Sequence, residues 1–139
     1  MVRIICGEKG KGKTKHLLDK VNEHVKSAQG TIVYLDKSTK HMYELSNKIR
    51  LVNVKEYPLF SANAFIGFVC GILSQDWDLE AIYFDSFLTI ANLEDGDITG
   101  TIDVLEKLSE KYHVDFILSV SRDSHDLPEN AKKDIEIAL

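Results

Sequence analysis

Residues 1–14 read Met1-Val2-Arg3-Ile4-Ile5-Cys6-Gly7-Glu8-Lys9-Gly10-Lys11-Gly12-Lys13-Thr14. The apolar run at the start predicts a short β-strand, and the apolar residues after Thr14 recur at helical spacing. The segment from Gly7 to Thr14 matches the pattern GxxxxGK[ST], which cradles the phosphates of a nucleotide when it joins a strand to a helix. We therefore expect a phosphate-binding loop; the alternative is a flexible lysine-rich loop that matches the pattern by chance.

Each residue type in this loop suits contact with a polyphosphate. Gly7, Gly10 and Gly12 leave room for backbone N–H groups to approach the anion and can adopt positive φ. We expect Lys13 to bridge the β- and γ-phosphate oxygens and Thr14 to offer its hydroxyl to Mg²⁺. The following helix points its partial positive end at the anion. The predicted nucleotide-binding residues are Gly7, Glu8, Lys9, Gly10, Lys11, Gly12, Lys13, Thr14 and Lys15.

Length and composition are typical of one soluble domain. The 139 residues are 44% hydrophobic and 28% charged, which suits a single nucleotide-binding domain over residues 1–139. No stretch reaches the roughly 18 apolar residues of a membrane span, and the first apolar run is too short for a signal peptide. Neither the two cysteines, Cys6 and Cys70, nor the five scattered histidines have metal-ligand spacing. We expect a cytoplasmic protein with no membrane partner.

Charge is distributed unevenly along the chain. Residues 1–60 hold 12 lysines and arginines against 6 acidic residues, whereas residues 61–139 hold 5 against 16, so the two halves carry +6 and −11. One interpretation is a solvated surface whose lysines gather at the phosphate site. The other is head-to-tail self-association of oppositely charged edges, which salt would weaken.

The rest of the chain alternates predicted strands and helices. Further strands are expected at 31–36, 51–54, 81–85 and 116–120. Helices are expected from the phosphate loop to about Gly30, within 37–49, at 62–74 with Ser61 as N-cap, and around 102–112. The tail stays open between a short helix at 128–133 and a strand through Ile135, Ile137 and Leu139. This alternation predicts an α/β fold, a three-layer αβα sandwich around a mostly parallel five-stranded sheet with right-handed crossovers.

Helix 62–74 is apolar almost all round. One side carries Phe65, Phe68 and Ile72, and another carries Ile66, Cys70 and Leu73. Burial of one side leaves the other to be covered by neighbouring loops, or by a partner protein or a second copy of the chain. Both alternatives are open at this point.

An acid at the end of a buried strand supplies the second half of a nucleotide site. Asp85 closes the apolar run 81–84, where an unpaired carboxylate would be costly. We predict that Asp85 is a Walker B aspartate that holds Mg²⁺, through water, together with Thr14. The alternative is that Asp85 only caps the turn beginning at Ser86.

The order of these parts resembles the RecA-like core shared by recombinases and hexameric helicases, a branch of the P-loop NTPases. The resemblance covers residues 1 to about 122 in layout, and the specific motifs are the phosphate loop and the pair Asp85-Ser86. It implies the strand order 5-1-4-3-2 and ATP as the nucleotide. It also implies that Ser121 or Arg122 occupies the position of the γ-phosphate sensor.

Two features depart from that family. Its members carry a glutamate at or just past the end of the second strand, which activates the attacking water; here the counterpart is Asp36 or, if it is Ser38, the base is missing. The long basic DNA-binding loops are absent and the segment after Asp85 is acidic, so we do not expect nucleic acid as a partner. Arg122 is either a catalytic finger or part of a surface salt bridge.

These observations favour an ATP-binding protein with weak or partner-stimulated, Mg²⁺-dependent ATPase activity, acting as a switch or an assembly subunit. Lys13, Asp36 and Arg122 are the predicted catalytic residues. GTP is not expected, because the sequence after Asp85 lacks the DxxG glycine. The alternatives are a small-molecule kinase, although the chain holds only three arginines and no arginine-bearing lid, and a non-enzymatic module that ATP stabilises and that binds a partner through helix 62–74.

Overall fold

A computed structural model describes all of residues 1–139 and places six strands in one parallel sheet. The strands are β1 (Val2–Cys6), β2 (Thr31–Asp36), β3 (Arg50–Asn53), β4 (Leu79–Phe84), β5 (Asp115–Val120) and β6 (Ile135–Ala138). Their order across the sheet is β3-β2-β4-β5-β1-β6, and every neighbouring pair is parallel. The four central strands are almost entirely buried, as expected for a parallel sheet with both faces covered.

Five helices connect the strands. They are α1 (Lys13–Val25), α2 (Ala62–Gln75), α3 (Phe87–Ile90), α4 (Thr99–Tyr112) and α5 (Glu129–Lys132), with 3₁₀ turns at Met42–Glu44, Val54–Glu56 and Ser124–Asp126. The prediction of a helix within 37–49 is wrong, since the segment contains only the 3₁₀ turn Met42–Glu44. The Asn22 side chain bonds the Glu44 carbonyl and the Ser46 N–H, which takes up backbone groups that a helix would need. None of the helices combines the length and apolarity needed to cross a bilayer.

Alternate residues of each strand face opposite helical layers. On one face, α1 packs Leu17 and Val21 against Tyr34 and Tyr83 in a core of 10 buried residues. On the other face, α2 and α4 pack on a core of 26 buried residues that contains several edge-to-face aromatic pairs. The prediction of an α/β sandwich is therefore confirmed at this level.

The number and order of the strands differ from the prediction. The tail forms both the short helix α5 and the strand β6, so the sheet has six strands and not five. Counted over the five predicted strands, the order 5-1-4-3-2 would put strand 81–85 beside β1, whereas β5 lies between β4 and β1. The reason is burial: β5 is buried over nearly its whole length and takes a central place, whereas the half-exposed β3 and β6 take the edges.

Helix α2 begins as the sequence predicts. The Ser61 hydroxyl accepts a hydrogen bond from the Ala64 N–H at 3.0 Å. Each of the two predicted sides has one buried residue, Phe65 on the first and Leu73 on the second. Ile66, Phe68 and Ile72 are partly buried against the core, and the Tyr57 ring centroid lies 5.3 Å from that of Phe68. Cys70 on the same helix stays exposed.

Candidate functional site

The loop between β1 and α1 has the backbone conformation that its glycines permit. Gly10 and Gly12 adopt φ values of 85° and 88°, a region that other residues enter only with strain. At Gly7, an added Cβ would lie 3.0 Å from the Leu139 Cβ, so any side chain here would push against the end of β6. Substituting any of these glycines would change the shape of the loop.

The backbone N–H groups of residues 8–15 have no acceptor within the chain. They span the loop and the first turn of α1, where the N–H groups of any helix lack intrahelical partners. The partial positive charge of the helix N-terminus adds to these donors. Together they form a continuous set of donors suited to an anion such as a phosphate.

Lys13 is held inside the loop. Its side chain is only 7% exposed, and its Nζ donates a hydrogen bond to the Glu8 carbonyl at 3.0 Å. Burial lowers the pKa of the Lys13 ammonium, and the negative charge of Asp85 opposes this shift. The ammonium is therefore bonded to the loop backbone and also interacts electrostatically with the carboxylate that follows β4.

Three hydroxyl groups bond the Asp85 carboxylate, which directly follows β4 and is 1% exposed. Oδ1 accepts from the Thr14 hydroxyl at 3.1 Å and from the Ser119 hydroxyl at 3.2 Å. Oδ2 accepts from the Tyr34 hydroxyl at 2.7 Å. The structure thus brings together Thr14 and Asp85, the two residues predicted to bind Mg²⁺, although 71 positions separate them in the sequence.

The backbone after Asp85 is unusual. Ser86 adopts the left-handed conformation, with φ of 53° and ψ of 50°, and its N–H donates to the Ser119 hydroxyl at 3.0 Å. Such a conformation at a residue other than glycine costs energy and is concentrated at functional sites. No backbone N–H of α3 donates to the Asp85 carboxylate, so the structure gives no support to a purely capping role for Asp85.

Asp36 lies beside Asp85 at the carboxyl ends of adjacent strands. Leu35 pairs with Phe84 in the sheet, and the Asp85 N–H donates to the Leu35 carbonyl at 2.8 Å. Asp36 is 2% exposed; its Oδ1 accepts from the Lys37 N–H at 2.7 Å, whereas its Oδ2 has no hydrogen-bond partner. Burial, followed by the charge of Asp85, raises the pKa of Asp36 to about 6.

A cleft of about 560 Å³ lies over the loop between β1 and α1 and over Asp85. Its lining includes the predicted residues Lys9, Gly10, Gly12, Lys13, Thr14 and Asp85, together with Lys37, Ser121, Glu94 and Asp95. The other predicted site residues are not part of the lining: Gly7, Glu8, Lys11, Lys15, Asp36 and Arg122. Lys15 instead forms an exposed ion pair with Asp19 on α1. The cleft therefore combines a lysine-bearing wall with an acidic one.

Arg122 contacts the acidic loop that follows α3. Its guanidinium donates to the carbonyls of Leu93, Glu94 and Gly96 at 3.0, 3.3 and 2.7 Å. The side chain thus holds this loop in place through its backbone. A catalytic role of Arg122 stays a prediction.

Three residues of the candidate site were not predicted from the sequence: Tyr34, Ser119 and His41. Tyr34 lies two residues before Asp36, so the two share one face of β2, but the contact of Tyr34 with Asp85 depends on β2 and β4 being neighbours. Ser119 is the single polar residue of the run 116–120, which is a detectable signal. No such signal exists for His41, because its place near both carboxylates depends on the path of the loop after β2.

No protein-family model matches the sequence, and a search of curated proteins gives no match either. The functional argument therefore rests on the geometry described above.

Proposed function

We propose that this protein binds ATP with Mg²⁺ and hydrolyses it slowly, or only when a partner stimulates it, as a switch or an assembly subunit. The observation that carries the proposal is the contact between the Thr14 hydroxyl and the Asp85 carboxylate at 3.1 Å, next to a loop whose N–H groups have no acceptor in the chain. A hydroxyl and a carboxylate are oxygen donors of the kind that Mg²⁺ prefers.

The strand order adds support to a RecA-like core. When the edge strand β3 is left out, the other five strands run β6-β1-β5-β4-β2 across the sheet. Numbered in chain order, this sequence is 5-1-4-3-2, the order that the resemblance implies. In this interpretation β3 is an additional strand at the edge, and Asp85 belongs to the third strand of the core.

Each residue then has a role in binding or turnover. Lys13 offsets the charge of the β- and γ-phosphates, and Thr14 and Asp85 hold Mg²⁺, which neutralises charge on the transferred phosphoryl group. Asp36 orients the attacking water, since its Oδ2 is not engaged by any other group. The aspartate is one methylene shorter than glutamate, so we expect slow hydrolysis.

Isothermal titration with a non-hydrolysable ATP analogue and Mg²⁺ tests the proposal, with the GTP analogue measured in parallel. Charged hydrogen bonds contribute roughly 1.5–3 kcal/mol, so Lys13→Ala should weaken binding of the ATP analogue about 10- to 100-fold. Lys26→Ala, an exposed lysine just past the other end of α1, serves as the control and should bind like wild type. Equal affinity of Lys13→Ala and wild type would contradict the proposal.

A second candidate function is a partner-binding module in which ATP only stabilises the fold. The exposed aromatic residues favour it: Phe60 is 86% exposed just before α2, and Trp77 is fully exposed just after it. Large exposed aromatic side chains are common in protein interfaces. The small-molecule kinase has less support, because no arginine lines the cleft.

A further inference from the structure

Asp36, Asp85 and His41 form a compact group at the carboxyl ends of β2 and β4. One ligand atom from each residue can be chosen so that the three atoms lie within 4.8 Å of one another. Both carboxylates are buried, with exposures of 2% and 1%, and His41 is half-buried. Three potential metal ligands thus converge from a strand end, a neighbouring strand end and the loop between β2 and β3.

Neither carboxylate has a direct ion-pair partner, although the Lys13 ammonium acts on Asp85 at longer range. None of the ion pairs in the structure includes Asp36 or Asp85. Asp36 Oδ2 is in addition a buried oxygen without any hydrogen-bond donor. Burial of an unpaired carboxylate is costly, and a bound cation would remove that cost for both residues.

The imidazole of His41 has a carboxylate partner on one of its ring nitrogens. Its Nδ1 contacts Oε2 of Glu44, one helical turn further along the chain. A carboxylate on one ring nitrogen fixes the tautomer and leaves the lone pair of the other nitrogen, here Nε2, free for a metal. Glu44 therefore acts as a positioning residue for His41.

We propose that Asp36, His41 and Asp85 form a binding site for a divalent transition-metal ion of the Mn²⁺ class. Such ions accept both carboxylate oxygens and an imidazole nitrogen, whereas Mg²⁺ prefers oxygen ligands alone. The site shares Asp85 with the proposed Mg²⁺ site and Asp36 with the proposed hydrolysis, but it uses neither Thr14 nor the phosphate loop. It therefore goes beyond the proposed function and requires no nucleotide.

The test is a titration of the nucleotide-free full-length chain with Mn²⁺, in which the electron paramagnetic resonance signal of the free ion measures how much Mn²⁺ remains unbound. We expect one bound Mn²⁺ per chain, with pulsed spectra that show coupling to an imidazole ¹⁴N nucleus. His41→Ala should remove this coupling and weaken Mn²⁺ binding at least about tenfold, since loss of even outer-shell partners costs 10- to 100-fold. His125→Ala, which removes an exposed histidine, should behave like wild type.

Asp36→Asn, which changes a second proposed ligand, should also weaken Mn²⁺ binding. Circular dichroism establishes that the His41→Ala and Asp36→Asn proteins are folded. The proposal is overturned if wild type and His41→Ala bind Mn²⁺ equally, if the bound ion shows no ¹⁴N coupling, or if wild type binds no Mn²⁺. Lys13→Ala separates the two proposals, because it should bind the ATP analogue more weakly while its Mn²⁺ affinity stays that of wild type. A protein that binds Mn²⁺ but no nucleotide would contradict only the proposed function.

Discussion

At the scale of single residues, the two adjacent carboxylates of the site differ in the hydrogen bonds that they accept. Asp85 receives hydrogen bonds from three hydroxyl groups, whereas Asp36 receives one backbone N–H and keeps one oxygen unpartnered. Hydrogen bonds to an ionised carboxylate stabilise its charge, and burial without them does the opposite. The cost of burying charge is therefore concentrated on Asp36.

This difference predicts a pH-dependent effect of Asp36→Asn. The pKa of Asp36 is raised from 3.8 to about 6 in the folded protein, so the folded state binds the proton more tightly than the unfolded state does. The contribution of Asp36 to stability is thus fully present below about pH 4 and is lost as the pH rises to about 6. Neutral asparagine lacks this loss, so Asp36→Asn should raise the free energy of unfolding by about 1–3 kcal/mol near pH 7.5 and much less near pH 4.5.

Urea denaturation at the two pH values, with a chelator present, measures this effect. Asp126→Asn, at an exposed position in the turn after β5, is the matched control and should show no such pH dependence. A variant that is less stable than wild type at both pH values would show that the Asp36 charge is compensated in the folded state.

At the scale of elements, the sequence predicted strands and helices where local pattern and burial agree. The strand–loop–helix arrangement of β1 and α1, the helix α2 with its Ser61 cap, and the four central strands all follow from apolar periodicity and turn chemistry. The sequence alone could not show whether the tail forms the strand β6, because this half-exposed strand forms by pairing with β1. The prediction of a helix within 37–49 was wrong, because hydrogen bonds to Asn22, which is distant in sequence, override local helix propensity.

The same limit applies to the site. The positions of the loop between β1 and α1 and of Asp85 after β4 could be predicted, since a motif and an apolar run ending in an acid are local signals. Their binding of nucleotide and Mg²⁺ stays a prediction. The contacts of Tyr34 and Ser119 with Asp85 depend on which strands are neighbours, and β5 was expected in a different place. The position of His41 depends on an irregular loop, for which sequence periodicity holds no information.

Two glycines in different elements should respond oppositely to alanine. At Gly71, on the exposed side of α2, an added Cβ meets nothing within 4 Å, so Gly71→Ala should stabilise the protein by about 0.5–1 kcal/mol through helix propensity. At Gly30, before β2, an added Cβ would lie 2.2 Å from the Asp78 carbonyl oxygen. Because that atom is backbone, Gly30→Ala should be destabilising by about 1–3 kcal/mol.

Thermal and urea unfolding of the two variants, compared with wild type, measure these changes. Gly67→Ala, one turn earlier on α2, is the matched comparison for Gly71→Ala, because an added Cβ at Gly67 also meets nothing within 4 Å. It should stabilise the protein by a similar amount. A Gly30→Ala protein as stable as wild type would mean that the start of β2 shifts without cost.

At the scale of the whole molecule, charge asymmetry and exposed aromatic residues both bear on association. The two halves of the sequence carry +6 and −11, and Phe60 and Trp77 are exposed at the two ends of α2. Association through charge should weaken with salt, whereas association through α2 should resist salt and respond to aromatic substitution.

Sedimentation velocity at low and high salt, with and without the ATP analogue, distinguishes these cases. If α2 is the interface, the double substitution Phe60→Ser and Trp77→Ser should abolish a nucleotide-dependent increase in sedimentation coefficient, and salt should not. Tyr43→Ser, which changes a 93% exposed aromatic residue beside β3, is the control. A sedimentation coefficient that stays monomeric under all conditions would exclude self-association through either surface.

The unequal cores on the two faces of the sheet have a consequence for cooperativity. The core beneath α1 holds 10 buried residues, against 26 on the side of α2 and α4. Local opening requires less free energy where fewer apolar contacts are broken, so α1 and its loop should open before the rest of the molecule unfolds. A ligand bound at the start of α1 stabilises only the closed form and raises the free energy of this opening. Nucleotide binding would therefore couple the unfolding of α1 to that of the rest of the protein. The protein would unfold in a single transition with nucleotide bound and in two transitions without it.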